Sequence, residues 1–250
     1  MTIRPDRIAI ISDPHGNLPA LEATLADIRS RGIERILCLG DLAGKGPSGA
    51  EVVDLCRNAC EATVQGNWDA GLADGADAHP TVLWHREQLG IERLAYLRDL
   101  PPAITFALSG HVVRLFHASQ QSVYNRVRLG DPDAIHLAMF DNTDFTGSGP
   151  TPDIVGYGDI HMGYVKAFSG KCLFNVGSVG NPLDITEACY AIIEGWYDSK
   201  EAAPWSVNLV RVPYDIEEAI RQAEAARMPE LPAYANELRT AVYRGRQAAV

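Results

Sequence analysis

The sequence predicts an α/β domain in which strands and helices alternate along the chain. Short apolar segments such as Ile8–Ile11, rich in Ile, Val and Leu, are typical of strands buried on both faces. Between two of them, apolar residues at 18, 21, 25 and 28 have the spacing of an amphipathic helix. Two such strand–helix units lead into a third strand within residues 1–70, which indicates a layered domain with right-handed crossovers.

The remaining elements extend this pattern. We expect a hairpin of strands 104–108 and 112–116, a loop at 69–78, a helix at 84–97, further strands at 164–168, 172–176, 189–194 and 206–212, and helices at 215–227 and from about 233. No linker or repeat divides the chain. We therefore expect a single domain over residues 1–250, with an irregular substrate-shaping segment at about 119–151 and a C-terminal helical tail at about 215–250.

Composition narrows the class of protein. The formal net charge is −10, which argues against sequence-independent binding to duplex nucleic acid. No signal peptide or membrane-spanning run is apparent, so we expect no membrane partner. The five cysteines are odd in number and fall within predicted elements, which favours buried free thiols in a reducing, cytoplasmic compartment. The sequence does not indicate an oligomeric state.

Metal-capable side chains follow five of the apolar segments, namely Asp13 with His15, then Asp41, Asn67, His117, and Asp159 with His161. In open α/β sheets, sites form at the carboxyl ends of the strands. If the backbone stays extended through Pro14, the side chains of Asp13 and His15 point the same way. The alternative for Asp13 alone is a helix N-cap. The recurrence predicts a metal site at the C-terminal ends of the strands.

These motifs carry a family resemblance. The ordered series Asp-x-His, Gly-Asp, Gly-Asn, a lone His and Gly-x-x-His resembles the calcineurin-like metallophosphoesterases, from about Ile8 to Pro182. The stretch Asn175–Pro182 is similar to the turn after the last motif in bacterial and archaeal phosphodiesterase-type members. The resemblance implies a four-layer αββα sandwich with two mixed sheets.

The resemblance also implies two divalent metal ions. One would take Asp13, His15, Asp41 and His161, and the other would take Asp41, Asn67, His117 and Asp159, so that Asp41 bridges them. Bridged ions about 3.5–4 Å apart can share an attacking hydroxide. Carboxylate, amide and imidazole ligands without thiolate favour Mn or Fe, with Mg, Zn or Ni possible.

Two positions depart from the family pattern. Asp159 replaces a His ligand of the second metal, so it either coordinates that ion or faces away and leaves the second site weak. Trp68 replaces a His that donates a proton to the leaving group, and Gly44 stands where the protein-phosphatase branch places an Asp to hold that His. Acidic leaving groups would suffer least from this loss. His85 or His136 is a substitute donor, the alternative for each being a surface or cap role.

Several side chains are candidates for the substrate phosphate. Lys45 falls where similar phosphatases place a phosphate-binding Arg or Lys, and the alternative is a solvated loop lysine. Asn17 is a further candidate. Arg126, in the irregular segment, is another, with surface placement as its alternative, and the same holds for Arg128. We assign catalytic roles to Asp41, Asn67 and Lys45.

We therefore expect a binuclear metal-dependent phosphoesterase acting by metal-activated hydroxide. Its substrate would be a small phosphate-containing molecule with a phosphodiester or phosphoanhydride bond, either nucleotide-type or a dinucleoside polyphosphate. The alternatives are a phosphoprotein phosphatase of the same fold and a non-catalytic metal-binding interaction module resembling the retromer scaffold subunit. The departures from the family pattern at Trp68 and Asp159 favour the interaction module, whereas the metal ligands that match the pattern favour the enzyme.

Overall fold

The computed structural model describes residues 4–246 of the 250-residue chain. The strands are β1 Asp6–Ile11, β2 Arg35–Cys38, β3 Ala62–Thr63, β4 Ala103–Leu108, β5 His111–Phe116, β6 Ile154–Tyr157, β7 Tyr164–Phe168, β8 Lys171–Asn175, β9 Ala188–Gly195 and β10 Ser206–Val212. The α-helices are α1 Leu18–Ser30, α2 Gly49–Ala59, α3 Asn67–Asp74, α4 Pro80–Arg98, α5 Asp133–Ala138, α6 Ile216–Ala225 and α7 Leu231–Thr240.

The strands form two mixed five-stranded sheets. The first has the order β10-β9-β1-β2-β3, with β1, β2 and β3 parallel and β9 antiparallel to β1. The second has the order β4-β5-β6-β8-β7, with β5, β6 and β8 parallel and the β4–β5 hairpin antiparallel. Both the predicted hairpin and the two mixed sheets are confirmed.

The sheets pack face to face, and β1 shows why its segment Ile8–Ile11 is apolar at every position. Ile8 and Ile10 lie in the core between the sheets, which includes Val113 and Leu115 of β5. The alternate residues Ala9 and Ile11 lie in a second core with side chains of α1, α2 and α4. A strand covered on both faces has no solvent-facing side, so it carries no polar alternation.

The outer face of the second sheet is covered mainly by irregular chain. Val127, Met139 and Phe140 pack there against Val155 and Leu173. Helices α6 and α7 share a smaller core that includes Tyr234. The two mixed sheets are thus the inner layers of the predicted sandwich, with helices outside the first sheet and irregular chain with the short helix α5 outside the second.

Two local predictions were wrong. Residues expected to begin the loop at 69–78 form α3, because the carboxylate of Asp69 accepts a hydrogen bond from the N–H of Gly66 at 2.9 Å and caps the helix start. Helix α4 begins at Pro80, four residues before the expected start, and contains non-helical backbone at Gly90. Proline suits a first helical turn because its missing N–H has no partner there in any case.

All five cysteines are free, and four of them are buried. This agrees with the thiols expected from the sequence. Within residues 4–246, no helix combines the length and apolar character needed to cross a membrane.

Candidate metal centre

The seven predicted metal ligands lie in one connected cluster at the carboxyl ends of five strands. β1, β2 and β3 of the first sheet lead to Asp13, His15, Asp41 and Asn67, and β5 and β6 of the second sheet lead to His117, Asp159 and His161. The two sheets therefore contribute opposite walls of the cluster. Six of these side chains are carboxylates or imidazoles, and all six are buried.

One half of the cluster contains Asp13, His15 and His161. The Nε2 atoms of His15 and His161 are 3.2 Å apart. Asp13 Oδ1 is 3.3 Å from Nε2 of His161 and 3.7 Å from Nε2 of His15. Their potential ligand atoms all lie within 4.8 Å of one another, which is compact enough for a single ion.

The other half surrounds His117, whose Nε2 is 3.0 Å from Asn67 Oδ1. Asp13, Asp41 and His117 form a second compact group. Asp41 faces both halves of the cluster, because its Oδ1 is 3.5 Å from His117 Nε2 and its Oδ2 is 3.5 Å from His15 Nε2. This is the orientation of a carboxylate that can bridge two ions.

The donor atoms fit a divalent cation. Each of the three histidines has its Nδ1 near a backbone carbonyl: His15 at 3.3 Å from Ala43, His117 at 2.7 Å from Leu39 and His161 at 2.5 Å from Asn181. When Nδ1 carries the hydrogen and donates it to the carbonyl, the lone pair of Nε2 is available. This is the tautomer in which a histidine binds a metal through Nε2.

Two features of the carboxylates favour a cation at the cluster. Asp13 Oδ1 is buried and has no hydrogen-bond partner among the described residues. Burial raises the pKa of Asp41 well above its usual range, the His117 ring opposes that shift, and the Asp13 carboxylate adds to it. A cation between these groups would satisfy the lone pairs and stabilise both carboxylates.

The backbone around the ligands is left-handed, not extended. The φ angles are 53° at Asp13, 47° at His15, 56° at Asp41, 62° at Asp159 and 59° at His161. The expectation of an extended backbone through Pro14 was therefore wrong. Turns immediately after the strands bring the ligands together, and such strained φ values are common at functional sites.

Asp69 holds two of these turns in place, a role that the sequence analysis missed. Its carboxylate accepts hydrogen bonds from the N–H groups of Asp41 at 2.8 Å and Leu42 at 2.9 Å, in addition to Gly66. The ligand loop after β2 is thereby attached to the start of α3. The sequence signal that could have indicated this role is the acidic residue three positions after Gly66, where the side chain of a capping box is found at a helix start.

Asp159 does not face away from the cluster, and its carboxylate is paired with an arginine. Its Oδ1 is 3.9 Å from His117 Nε2, so it lies at the edge of the second half of the cluster. Both carboxylate oxygens, however, accept hydrogen bonds from Arg126, at 2.7 and 2.6 Å. Arg126, predicted to contact substrate phosphate, is therefore an ion-pair partner of Asp159 in this structure.

Lys45 lies beside the cluster, in a turn with φ of 65°. Its Nζ donates a hydrogen bond to Asn181 Oδ1 at 3.0 Å. Asn181, which the sequence analysis did not select, also contacts His161 through its carbonyl and donates to the buried Glu237 at 3.3 Å. Burial lowers the pKa of Lys45, and the carboxylates of Glu237 and Asp13 oppose that shift. The solvated-loop alternative for Lys45 is wrong.

Asn17 has a structural role. Its Oδ1 accepts a hydrogen bond from the N–H of Ala20 and caps α1, while its Nδ2 donates to the carbonyl of Gly180 at 2.8 Å and to Tyr214 Oη at 3.3 Å. The side chain is fully buried. Because its polar atoms are already paired, we withdraw the prediction that Asn17 contacts substrate phosphate.

Trp68 occupies the position where the family pattern has a proton donor. Its indole contacts the rings of both His15 and His85 edge to face, with centroid distances of 6.1 Å. Burial lowers the pKa of His85 to about 4, so this ring is neutral and is a poor proton donor. His136 is buried beside Arg128 and Lys166. The structure supports neither histidine as the substitute acid.

A cavity of about 1170 Å³ opens onto the cluster. Its wall includes Asp159 and His161 from the cluster, together with Lys45, Trp68, Arg126, Arg128, Leu129, Tyr243 and Arg244. The irregular segment and the C-terminal segment thus contribute to the same wall. The volume exceeds that of a phosphate group, which leaves room for an organic substituent.

Comparisons with known proteins agree with this fold. Residues 7–195 match the family model described as the calcineurin-like phosphoesterase superfamily domain. The curated protein MJ0912 of Methanocaldococcus jannaschii is 32% identical over 255 residues, covering 89% of this chain and 94% of MJ0912.

Two crystal structures show the same architecture. A metallophosphoesterase from Sphaerobacter thermophilus has a TM-score of 0.74 at 27% identity, covering 95% of this chain and 99% of that one. Protein PH1004 from Pyrococcus horikoshii has a TM-score of 0.72 at 18% identity, covering 95% and 98%. The chain therefore belongs to the calcineurin-like phosphoesterase superfamily and is a metallophosphoesterase, a hydrolase of phosphate esters.

Proposed function

We propose that the protein is a binuclear metal-dependent phosphoesterase that cleaves a phosphodiester or phosphoanhydride bond in a nucleotide-type substrate or a dinucleoside polyphosphate. The observation that carries the proposal is the orientation of Asp41. One of its oxygens is directed at His15 and the other at His117, each at 3.5 Å from Nε2. A carboxylate that faces two sets of ligands is suited to join two ions.

The first ion would be held by Asp13, His15, Asp41 and His161, and the second by Asp41, Asn67 and His117 with Asp159 at its edge. Oxygen and imidazole donors without thiolate favour Mn or Fe, and they also permit Mg, Zn or Ni. When bound, such ions supply a nucleophile from water at neutral pH and offset charge on phosphate oxygens.

The protein's own groups bind and orient the substrate. Lys45 holds a positive charge at the edge of the cluster, where it can donate to a phosphate oxygen. Asn67 is fixed at the first turn of α3, with its amide oxygen toward His117. Asn181 orients both Lys45 and His161, so substrate and metal ligands share one support.

The cavity indicates an organic substituent on the phosphate. Trp68 and Tyr243 provide aromatic surface and Leu129 an apolar wall, which suits a nucleobase or another ring. Because irregular residues 119–151 contribute Arg126, Arg128 and Leu129, we propose that this segment and the C-terminal tail shape substrate specificity within one domain over residues 1–250.

The leaving group would receive little help. An indole cannot donate a proton as a general acid, and burial lowers the pKa of the neighbouring His85 to about 4. We therefore propose a preference for substrates whose leaving groups are acidic, such as nucleoside phosphates released from a phosphoanhydride.

The test is reconstitution of chelator-treated protein with Mn, Fe, Mg, Zn or Ni, followed by measurement of metal content and hydrolysis. We expect two ions per chain and hydrolysis of bis(4-nitrophenyl) phosphate and dinucleoside polyphosphates in preference to a phosphopeptide. A phosphopeptide as the best substrate would favour a phosphoprotein phosphatase. Two bound ions with no hydrolysis of any of these compounds would favour the interaction module.

A further inference from the structure

Arg126 and Asp159 form a two-point ion pair at the edge of the metal centre. Nε of Arg126 donates to Asp159 Oδ2 at 2.7 Å, and Nη2 donates to Oδ1 at 2.6 Å. Asp159 is 3% exposed, whereas Arg126 is 43% exposed and reaches in from the irregular segment. The pair therefore joins a buried carboxylate of the ligand loop to a cation on the cavity wall.

The pair uses the oxygen that the second ion would need. Asp159 Oδ1, which accepts from Nη2 of Arg126, is also the oxygen 3.9 Å from His117 Nε2. The guanidinium is additionally attracted by Asp41, which the second ion would contact, and by Asp13, a proposed ligand of the first ion. A guanidinium and a divalent ion drawn to the same carboxylates repel each other in a partly buried site.

We propose that Arg126 competes with the second divalent ion for Asp159, so that the two ions load in order and the second binds more weakly. This inference rests on the binuclear centre proposed above. Asp13, His15 and His161 form the half of the cluster that loads first, because Arg126 makes no hydrogen bond to them among the described residues.

Release of Arg126 has a consequence for the substrate. Once the second ion holds Asp159, the guanidinium is unpaired on the wall of the cavity. A substrate phosphate is then its natural partner, since arginine binds phosphate oxygens at two points. Phosphate and the second ion would each favour the separated pair, so their binding is mutually reinforcing.

The experiment is a calorimetric titration of metal-free protein with Mn²⁺, which needs no catalytic readout. We compare the parent with Arg126→Gln and with a matched control, Arg128→Gln, which removes a cavity-wall arginine that has no hydrogen bond to Asp159 among the described residues. In Arg126→Gln we expect the second binding constant to rise by about tenfold or more, the scale of a lost charge-assisted pair, with the first nearly unchanged. The control should change neither by more than about twofold.

A double-mutant cycle tests the route. In an Asp159→Asn background, Arg126→Gln should leave the binding constant of the second ion unchanged, because the carboxylate for which the arginine and the ion compete is no longer present. Arg126→Lys, which keeps the charge but loses the two-point geometry, should give an intermediate constant.

Other outcomes overturn the inference. A second constant that is unchanged or lower in Arg126→Gln would show that the arginine orients Asp159 for the ion instead of competing with it. Equal tightening in Arg128→Gln or in the Asp159→Asn background would be a general charge effect. Two ions with unaltered constants contradict only this inference, whereas a single ion in every variant contradicts the binuclear centre as well.

Discussion

The indole of Trp68 lies directly on Gly44. A side chain at position 44 would overlap the six-membered ring of Trp68, and Gly44 itself has φ of 86°. The missing Asp at 44 and the missing His at 68 are therefore one structural change. The large ring fills the space that a side chain at 44 would need, and without that side chain nothing at 44 remains to orient a histidine.

We expect Gly44→Ala to lower the free energy of unfolding by about 1–3 kcal/mol, because the new methyl group overlaps the indole and the backbone is left-handed. In a Trp68→His background the overlap disappears and the cost should be smaller. Gly170→Ala is the control, since φ there is 75° and a Cβ would meet nothing within 4 Å. Urea unfolding measures all of these variants. An equal cost of Gly44→Ala in both backgrounds would mean that the contact with Trp68 is unimportant.

Asp41→Asn should abolish hydrolysis and reduce the metal content to at most one ion per chain. The substitution keeps the size of the side chain but removes the charge that faces His15 and His117. Metal analysis after dialysis against Mn²⁺, together with a phosphodiester assay, measures both effects. A variant that holds two ions tightly would disprove the bridging role of Asp41.

Lys45→Ala should lower the specificity constant for a phosphodiester by an amount equivalent to about 1–3 kcal/mol, the scale for losing a charge-assisted hydrogen bond to phosphate. Lys45→Arg keeps the charge and should lose less. Metal content should stay at the parental value in both variants, because Lys45 contacts Asn181 and is not one of the proposed metal ligands. If Lys45→Ala has parental kinetics, Lys45 does not bind the substrate.

His85 should make stability depend on pH. Burial lowers its pKa to about 4 in the folded protein from 6.5, so the unfolded chain takes up a proton first as the pH falls. The stability contributed by the neutral ring is complete above pH 6.5 and is lost as the pH falls toward 4. Between pH 7 and 4.5, metal-free parent protein should lose about 2 kcal/mol more than His85→Leu.

The free energy of unfolding of the parent and of His85→Leu is measured by chemical denaturation at both pH values. The carboxylates are the same in the two proteins, so their contribution to the pH dependence cancels in the difference. Parallel pH dependence in the parent and His85→Leu would show that His85 is accessible to protons in the folded state.

The sequence by itself determined the family, the α/β class and the set of candidate metal ligands. Strands buried on both faces are apolar throughout, as in Ile8–Ile11, and the carboxyl ends of parallel strands meet at one edge. Asp13, Asp41 and His117 could therefore be selected from short motifs, because each lies within three residues of the end of such a strand. Local order along the chain is enough for these features.

Only the tertiary structure decided how these residues are arranged and paired. Arg126 and Asp159 are 33 residues apart, and no pattern in the sequence links them. Asn17 has a side chain that could contact a phosphate, but in the fold it forms hydrogen bonds with Ala20, Gly180 and Tyr214. The physical reason is that ion pairs, hydrogen-bond partners and left-handed turns depend on which distant segments pack together, whereas strand burial is encoded locally.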